Sequence, residues 1–361
     1  MLAIAITSMT SDYIVDSDAH YLESLPELAD YIPDNSPFKQ RFKRQPGKMF
    51  PSSGYPDHYM YGRIQRDEVG YLKGQMVPED IPTAMEIVGA DAIVVITQKM
   101  LAFARLGGDD ERPELISNAY ADYMLDRIVD PKEGIYALLV LPYQDPERAV
   151  ELIDRCGGEK GFAGACMICG GPEPPFGNRK YDGIYEACQD AKLPLVFHAG
   201  GASLDYFYIK GYEKFIETHT LGFLWSNMSQ LVSIVIQGVA EKFPGLKIVF
   251  QESGILYVPS LMARLDAEYL KRASEAPILT KRPSEYMSNF YYGTQPLDEP
   301  KSTEYFQSAI KEMGGAGQLL YSSDYPHWDY DPPSAITSIP FLTREEKELI
   351  LGKNAQKVFG I

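Results

Sequence analysis

The sequence predicts an eight-stranded α/β barrel, a (β/α)8 TIM barrel built as one domain over residues 1–361, with a doubly wound sheet as the alternative. Three observations predict it. Short, near-continuous apolar runs rich in β-branched residues recur along the chain, as parallel strands covered on both faces require. Segments with helical spacing separate most of these runs. Polar residues able to bind a metal close several of them, and only a closed barrel brings the ends of distant strands to one point.

Taken in order, strands are expected at Tyr13–Val15, Ala92–Thr97, Ile135–Leu141, Phe162–Cys169, Leu195–His198, Lys247–Gln251, Phe290–Thr294 and Leu319–Ser322. The first connection, about 21–80, is rich in Pro and Tyr and is expected to hold an insertion or lid. A second, around 170–180 (GGPEPPFGN), reads as a loop over one mouth. Helix punctuation lies between the strands. Asp145-Pro146 is an N-cap followed by Pro at the first helical position, and that helix stops at Gly157-Gly158. A helix from about Met228 must end at Phe243-Pro244-Gly245. Thr343-Arg-Glu-Glu346 is a capping box that opens a last amphipathic helix.

Composition excludes classes of partner without choosing a chemistry. The chain carries 34 Lys and Arg against 50 Asp and Glu, a formal charge of −16, which argues against nucleic acid or an anionic membrane surface. Hydrophobic residues make up 45% and charged residues 23%, too apolar for a disordered chain. No window approaches the roughly 18 uninterrupted apolar residues of a membrane span; Leu221–Ala240 comes closest, broken by Ser, Asn, Gln and Gly. Four cysteines make no disulfide framework, and Cys166-Met-Ile-Cys169, inside an apolar run, reads as buried structural thiols. The opening MLAIAITSMT lacks the basic flank of a targeting signal, so the cytoplasm is expected.

The chemistry sits where the strands stop. The first run leads into Asp16-Ser17-Asp18-Ala19-His20, and strand alternation puts Asp16, Asp18 and His20 on one face, where two ligands at i and i+2 can grip one metal ion. A capping Asp beside a surface His is the plainer alternative. In Pro194-Leu-Val-Phe-His198-Ala-Gly-Gly a His closes an apolar run, as a metal ligand or as a hydrogen-bonded core His. Asp324 stands just past the last run, as a ligand or as a helix N-cap, which Pro326 and the neighbouring aromatics make less natural. Glu252 closes the sixth, as a further ligand, an acid/base or the ion-pair partner of an Arg.

At these residues the sequence resembles the amidohydrolase superfamily, in the amidohydrolase-related branch with aminocarboxymuconate-semialdehyde decarboxylase and γ-resorcylate decarboxylase. The matching segments are DSDAH at 16–20, PLVFHAGG at 194–201, KFPGLKIVFQESG at 242–254 with VPSLMARLD after it, SSDYPHWD at 322–329 and the closing GKNAQKVFG. The resemblance implies one divalent metal, zinc first and manganese second, on Asp18, His20, His198 and Asp324. Two positions depart from the pattern: Asp18 stands where the better-known decarboxylase has His, though relatives with a carboxylate there exist, and Glu252, or Ser253 under a shifted alignment, where several members have a strand-six His that assists chemistry. Asp324 and Glu252 are then the expected acid/base groups, with His219, in Glu217-Thr-His219-Thr, reaching toward the mouth. Arg264 matches an Arg that in some members crosses a dimer interface into the neighbouring site, which implies a homodimer; otherwise it is a surface Arg paired with Asp266 or Glu268. His58 and Arg63, in the Tyr-rich stretch of the first insertion, belong either to a lid that contacts an aromatic substrate or to a packed surface flap, the plainer reading. His327 lies near enough to Asp324 to support it. The expected activity is metal-dependent, non-oxidative decarboxylation of a small aromatic or unsaturated carboxylic acid. The alternatives are metal-dependent hydrolysis of a C–N or C–O bond on the same ligands, and a barrel kept as a non-catalytic binding protein.

Overall fold

Eight parallel strands pair in chain order: β1 (Val15–Tyr21), β2 (Ala92–Thr97), β3 (Ile135–Val140), β4 (Phe162–Ile168), β5 (Leu195–His198), β6 (Ile248–Gln251), β7 (Tyr291–Gly293) and β8 (Leu319–Leu320). This is the (β/α)8 barrel, seen in a computed structural model that describes residues 13–21, 23, 25–44, 78–106, 111–200, 211–212, 214–327 and 329–361. A helix follows each strand: α1 (Ile81–Val88), α2 (Arg112–Arg127), α3 (Pro146–Cys156), α4 (Asp182–Asp190), α5 (Phe215–Ile236), α6 (Tyr257–Arg272), α7 (Thr303–Glu312) and α8 (Arg344–Glu348). The strands are buried almost throughout, and apolar side chains from all eight, Tyr292 on β7 among them, join one core with the inner faces of the helices. The expected caps form: Asp145 accepts from the Glu147 and Arg148 amides at the start of α3, and Thr343 and Glu346 cap α8 reciprocally. No helix among the described residues is long and apolar enough to cross a membrane.

Two elements differ from expectation. The helix read as starting near Met228 starts at Phe215 and runs 22 residues. It breaks before Phe243 because Gly238 takes a left-handed φ of 69°, a conformation that costs glycine nothing and other residues about 1 kcal/mol or more. The first strand was placed at Tyr13–Val15, but it runs on through Tyr21, so the Asp-Ser-Asp-Ala-His motif is strand rather than strand end. Asp16 is opposite Ile93 on β2, whereas Ala19 is opposite Val95. Three residues on β1 thus span two on β2, and this bulge breaks the alternation that put Asp16 on the face of Asp18 and His20.

The bulge frees Asp16 for a different task. The barrel closes where β1 meets the segment after β8, through backbone bonds from Ser17 N to Tyr321 O (2.9 Å), His20 N to Tyr325 O (2.8 Å) and Asp324 N to Asp18 O (2.8 Å). The Asp16 carboxylate locks this seam by accepting from Ser323 N at 2.8 Å, Ser323 Oγ at 2.5 Å and Asp18 N at 3.2 Å. Burial pushes the Asp16 carboxyl up to about 7, against hydrogen bonds from Ser323 and Asp18 that favour its ionised form. Beside it Ser17 Oγ donates to Tyr321 O at 2.7 Å, and Gln251 Nε2 donates from β6 to Ser17 O at 2.5 Å.

Asp16→Ala leaves three buried donors without an acceptor, and we expect a loss of about 3 kcal/mol or more in urea unfolding, against about 1 kcal/mol for Asp16→Asn, which keeps one acceptor oxygen. Equal unfolding midpoints for the two variants would remove the seam from this role.

Candidate metal centre

The seam sets the geometry of the centre. β1 presents Asp18 and His20, and the closing bond from Asp324 N to Asp18 O carries the Asp324 side chain to the same place. His20 Nε2 lies 2.9 Å from Asp324 Oδ1 and 3.6 Å from Asp18 Oδ1. β5 contributes His198, whose Nε2 lies 3.2 Å from Asp18 Oδ1. Two groups able to hold a cation result, Asp18–His20–His198 and His20–Asp324–His327, with His20 common to both. All five side chains are buried. Asp18, His20 and His198 thus fall in one group and Asp324 in the other, with His327, the two meeting at His20.

Glu252 and Asp324 arrive through unusual backbone. Both follow a strand in the left-handed region, at φ 61° and 60°, which non-glycine residues adopt at some cost and mostly where surrounding structure demands it. Glu252 Oε2 then lies 3.3 Å from His198 Nδ1, and Oε1 lies 3.7 Å from His327 Nδ1. His327 Nδ1 is 2.7 Å from Asp324 Oδ1, and its ring stacks on that of His20 at 4.4 Å and 17°.

The donors fit a divalent cation. His198 Nδ1 lies 2.5 Å from Ala199 O, so the Nδ1 proton is committed to that carbonyl and the Nε2 lone pair faces the Asp18 carboxylate. A lone pair and a carboxylate oxygen set face to face in a dry site need a cation or a proton between them. Asp18 Oδ2 and both ring nitrogens of His20 make no hydrogen bond, although they are buried. Imidazole and carboxylate donors together suit zinc, manganese, iron or cobalt.

The surroundings drive the two carboxyls apart. Burial, then the charges of Asp324, Asp18 and Asp329, push Glu252 well above the usual carboxylate range. Burial acts on Asp324 as well, but His327 and His20 outweigh it and hold Asp324 well below that range. Burial lowers His20, and the neighbouring His327 charge adds to the effect. For His198 and His327 burial is outweighed, by Asp18 and by Asp324 respectively, and both are raised. Two acids of opposite tendency share one site: Glu252 is driven to keep a proton, whereas Asp324 gives up readily any proton it receives.

Other expected residues lie further out. His219, on α5, packs against Phe223 and lies 3.7 Å from Asp329 Oδ2; burial lowers it to about 4, and the charges of Asp324 and His327 reach it. Arg264 is exposed on α6, 3.4 Å from Glu268, and is not gathered into the centre of its own chain. His58 and Arg63 lie outside the described residues. Cys166 and Cys169 are buried, and all four cysteines are unpaired. Sequence reading passed over Gln98, whose Oε1 lies 2.5 Å from His327 Nε2, and Asp329. The available signal for Gln98 was its place directly after the apolar run of β2.

A family model described as amidohydrolase matches residues 98–361. The chain belongs to the amidohydrolase family. This amidohydrolase is 23% identical over 262 residues to the gamma-resorcylate decarboxylase of Polaromonas sp. JS666, a match that covers 70% of this chain and 78% of that protein. Its fold is similar to that of an amidohydrolase from Mycobacterium avium subsp. paratuberculosis K-10, with a TM-score of 0.76 and 18% identity over 98% of this chain and 99% of the other. It is also similar to the dihydroxybenzoic acid decarboxylase of Polaromonas sp. JS666 with bound manganese and the inhibitor 2-nitroresorcinol, at a TM-score of 0.66 and 18% identity over 97% of both chains.

Purified amidohydrolase is expected to carry a stoichiometric divalent ion by elemental analysis, and the His198→Ala/Asp324→Asn double variant to lose it. Stripping the metal should destabilise the wild type by about 3 kcal/mol relative to protein held at a free ion concentration about 100-fold above Kd. A double variant that keeps its metal would move the binding site elsewhere.

Proposed function

We propose that this amidohydrolase is a metal-dependent, non-oxidative decarboxylase of a small hydroxylated aromatic acid. One observation carries the reading: a single carboxylate oxygen, Asp324 Oδ1, lies 2.9 Å from His20 Nε2 and 2.7 Å from His327 Nδ1. Asp324 thereby touches the metal-ligand cluster on one side and a second imidazole on the other. The gamma-resorcylate and dihydroxybenzoic acid decarboxylases among the relatives support the substrate class.

Asp18, His20, His198 and Asp324 would hold a divalent ion, zinc first and manganese second, which would supply positive charge to attract and orient the substrate carboxylate. The residues of the chain handle the proton. His327 holds it at Nδ1 and passes it to Asp324 Oδ1, which delivers it to the ring carbon bearing the carboxylate. The bond from that carbon to the carboxylate then breaks, its electron pair restores the aromatic ring, and CO2 departs. Glu252, which burial drives toward its protonated form, lies 3.7 Å from His327 Nδ1 and supplies a proton to that ring. His219, 3.7 Å from Asp329 and within the field of Asp324 and His327, adds a neutral polar group beside the cluster.

The working unit in this reading is a homodimer in which Arg264 of each copy enters the mouth of the other. Its pairing with Glu268 in the free chain is an exposed contact worth at most about 0.5 kcal/mol, so little opposes its release. Arg63 and His58, outside the described residues, complete the grip on the acid. Four buried, unpaired thiols fit a reducing compartment, the cytoplasm.

The test is a coupled CO2 assay against mono- and dihydroxybenzoates with zinc- or manganese-loaded enzyme. Turnover of at least one acid is expected, with kcat reduced by about 10²-fold or more in His327→Gln. Hydrolysis of an amide or ester with no CO2 from any acid would replace the reading with hydrolase chemistry.

A further inference from the structure

We propose that Gln98 is a positioning residue of this site, holding the His327 ring so that Nδ1 faces Asp324. The inference rests on the decarboxylase reading for its catalytic consequence, though its geometry stands without it.

Gln98 follows the last residue of β2 and opens a short 3-10 segment, Gln98–Arg105. β2 pairs with β1 in a register that sets Ile96 opposite His20 and Thr97 opposite Tyr21, so Gln98 stands on the rim beside the strand that carries two candidate ligands. Its Oε1 lies 2.5 Å from His327 Nε2. On the opposite edge of the same ring, Nδ1 lies 2.7 Å from Asp324 Oδ1 and 3.7 Å from Glu252 Oε1.

Stacking on His20, at 4.4 Å and 17°, fixes the plane of the His327 ring but not which edge points to Asp324. A half-turn about the bond joining the ring to its Cβ preserves the stack while setting a carbon against Asp324 and another against Gln98. An amide oxygen can only accept, so the Gln98 contact keeps a hydrogen on Nε2 and opposes that turn. It leaves Nδ1 as the nitrogen that faces Asp324. Strand two thus contributes to the site through a neutral side chain that acts by way of His327.

Gln98→Met removes the acceptor at similar length, and Gln98→Glu restores one. With metal-loaded enzyme, Gln98→Met should lose about 10-fold or more in kcat, with KM and metal content unchanged, and Gln98→Glu should recover most of the loss. The second readout is nitrogen-15 NMR of zinc-loaded protein labelled at its five histidines, with His327 assigned through His327→Gln. A protected Nε2–H of His327 is expected in the wild type and in Gln98→Glu, and its loss in Gln98→Met. An unchanged His327 signal in Gln98→Met overturns the proposal whether or not the wild type releases CO2. Wild-type kcat in Gln98→Met, or an equal loss in both variants, overturns it too. A wild type that releases no CO2, yet loses the signal in Gln98→Met, overturns the decarboxylase reading alone and upholds the hold of Gln98 on His327.

Discussion

Everything at the mouth of this barrel depends on how β1 joins the segment after β8. The last formal strand is two residues long, and closure is completed by residues 321–325 lying along β1 and bonding to it through Ser17, Asp18 and His20. A buried carboxylate, Asp16, gathers three donors there, two of them from Ser323. The main-chain bond from Asp324 to Asp18 is at once a fastening of the barrel and the reason two acids meet an imidazole. Fold and site share their hydrogen bonds at this point, so a change made for one is felt by the other.

That junction creates an electrostatic problem of its own. Asp18, Glu252 and Asp324 lie in a volume with almost no water contact, among three imidazoles. Burying like charges together is costly unless a cation compensates or one group takes up a proton. Both remedies fit the observed directions: the set Asp18–His20–His198 has the donors for a cation, and Glu252 is driven toward its protonated form. The −16 formal charge of the chain is therefore no bar to an acidic substrate, because a cation held in this cluster, together with its imidazoles, would set the local field there.

The barrel was legible because its strands announce themselves. Runs such as Ala92–Thr97 and Leu195–His198 have strand length and β-branched or aromatic content, and the structure places both at the expected bounds. Asp18, His20, His198 and Asp324 could be chosen because each ends or closely follows an apolar run, and a barrel converts that local fact into proximity. What could not be read was anything set by a single inserted residue. The bulge on β1 turns Asp16 away from the others, and periodicity has no means of signalling it. The same holds for Glu252 and Asp324, whose direction depends on a left-handed φ that their residue types do not demand. Gln98 was missed for a simpler reason: a neutral amide at a strand end carries no charge or metal affinity to mark it.

The seam has a consequence in time as well as in space. Asp16 and Ser323, which lock it, are 307 residues apart, so the contact that completes the centre has almost the largest sequence separation this chain can offer. Contacts of such range form late, after the entropy of closing the intervening chain has been overcome. Asp18, His20 and His198 all leave the ribosome well before Asp324 and can gather without it, but only a finished barrel supplies the fourth group. With the proposed ligand set, a nascent or misassembled chain would offer an ion only a weaker, open set of donors. Tight retention of a metal would then be the signature of a barrel whose first and last strands have met.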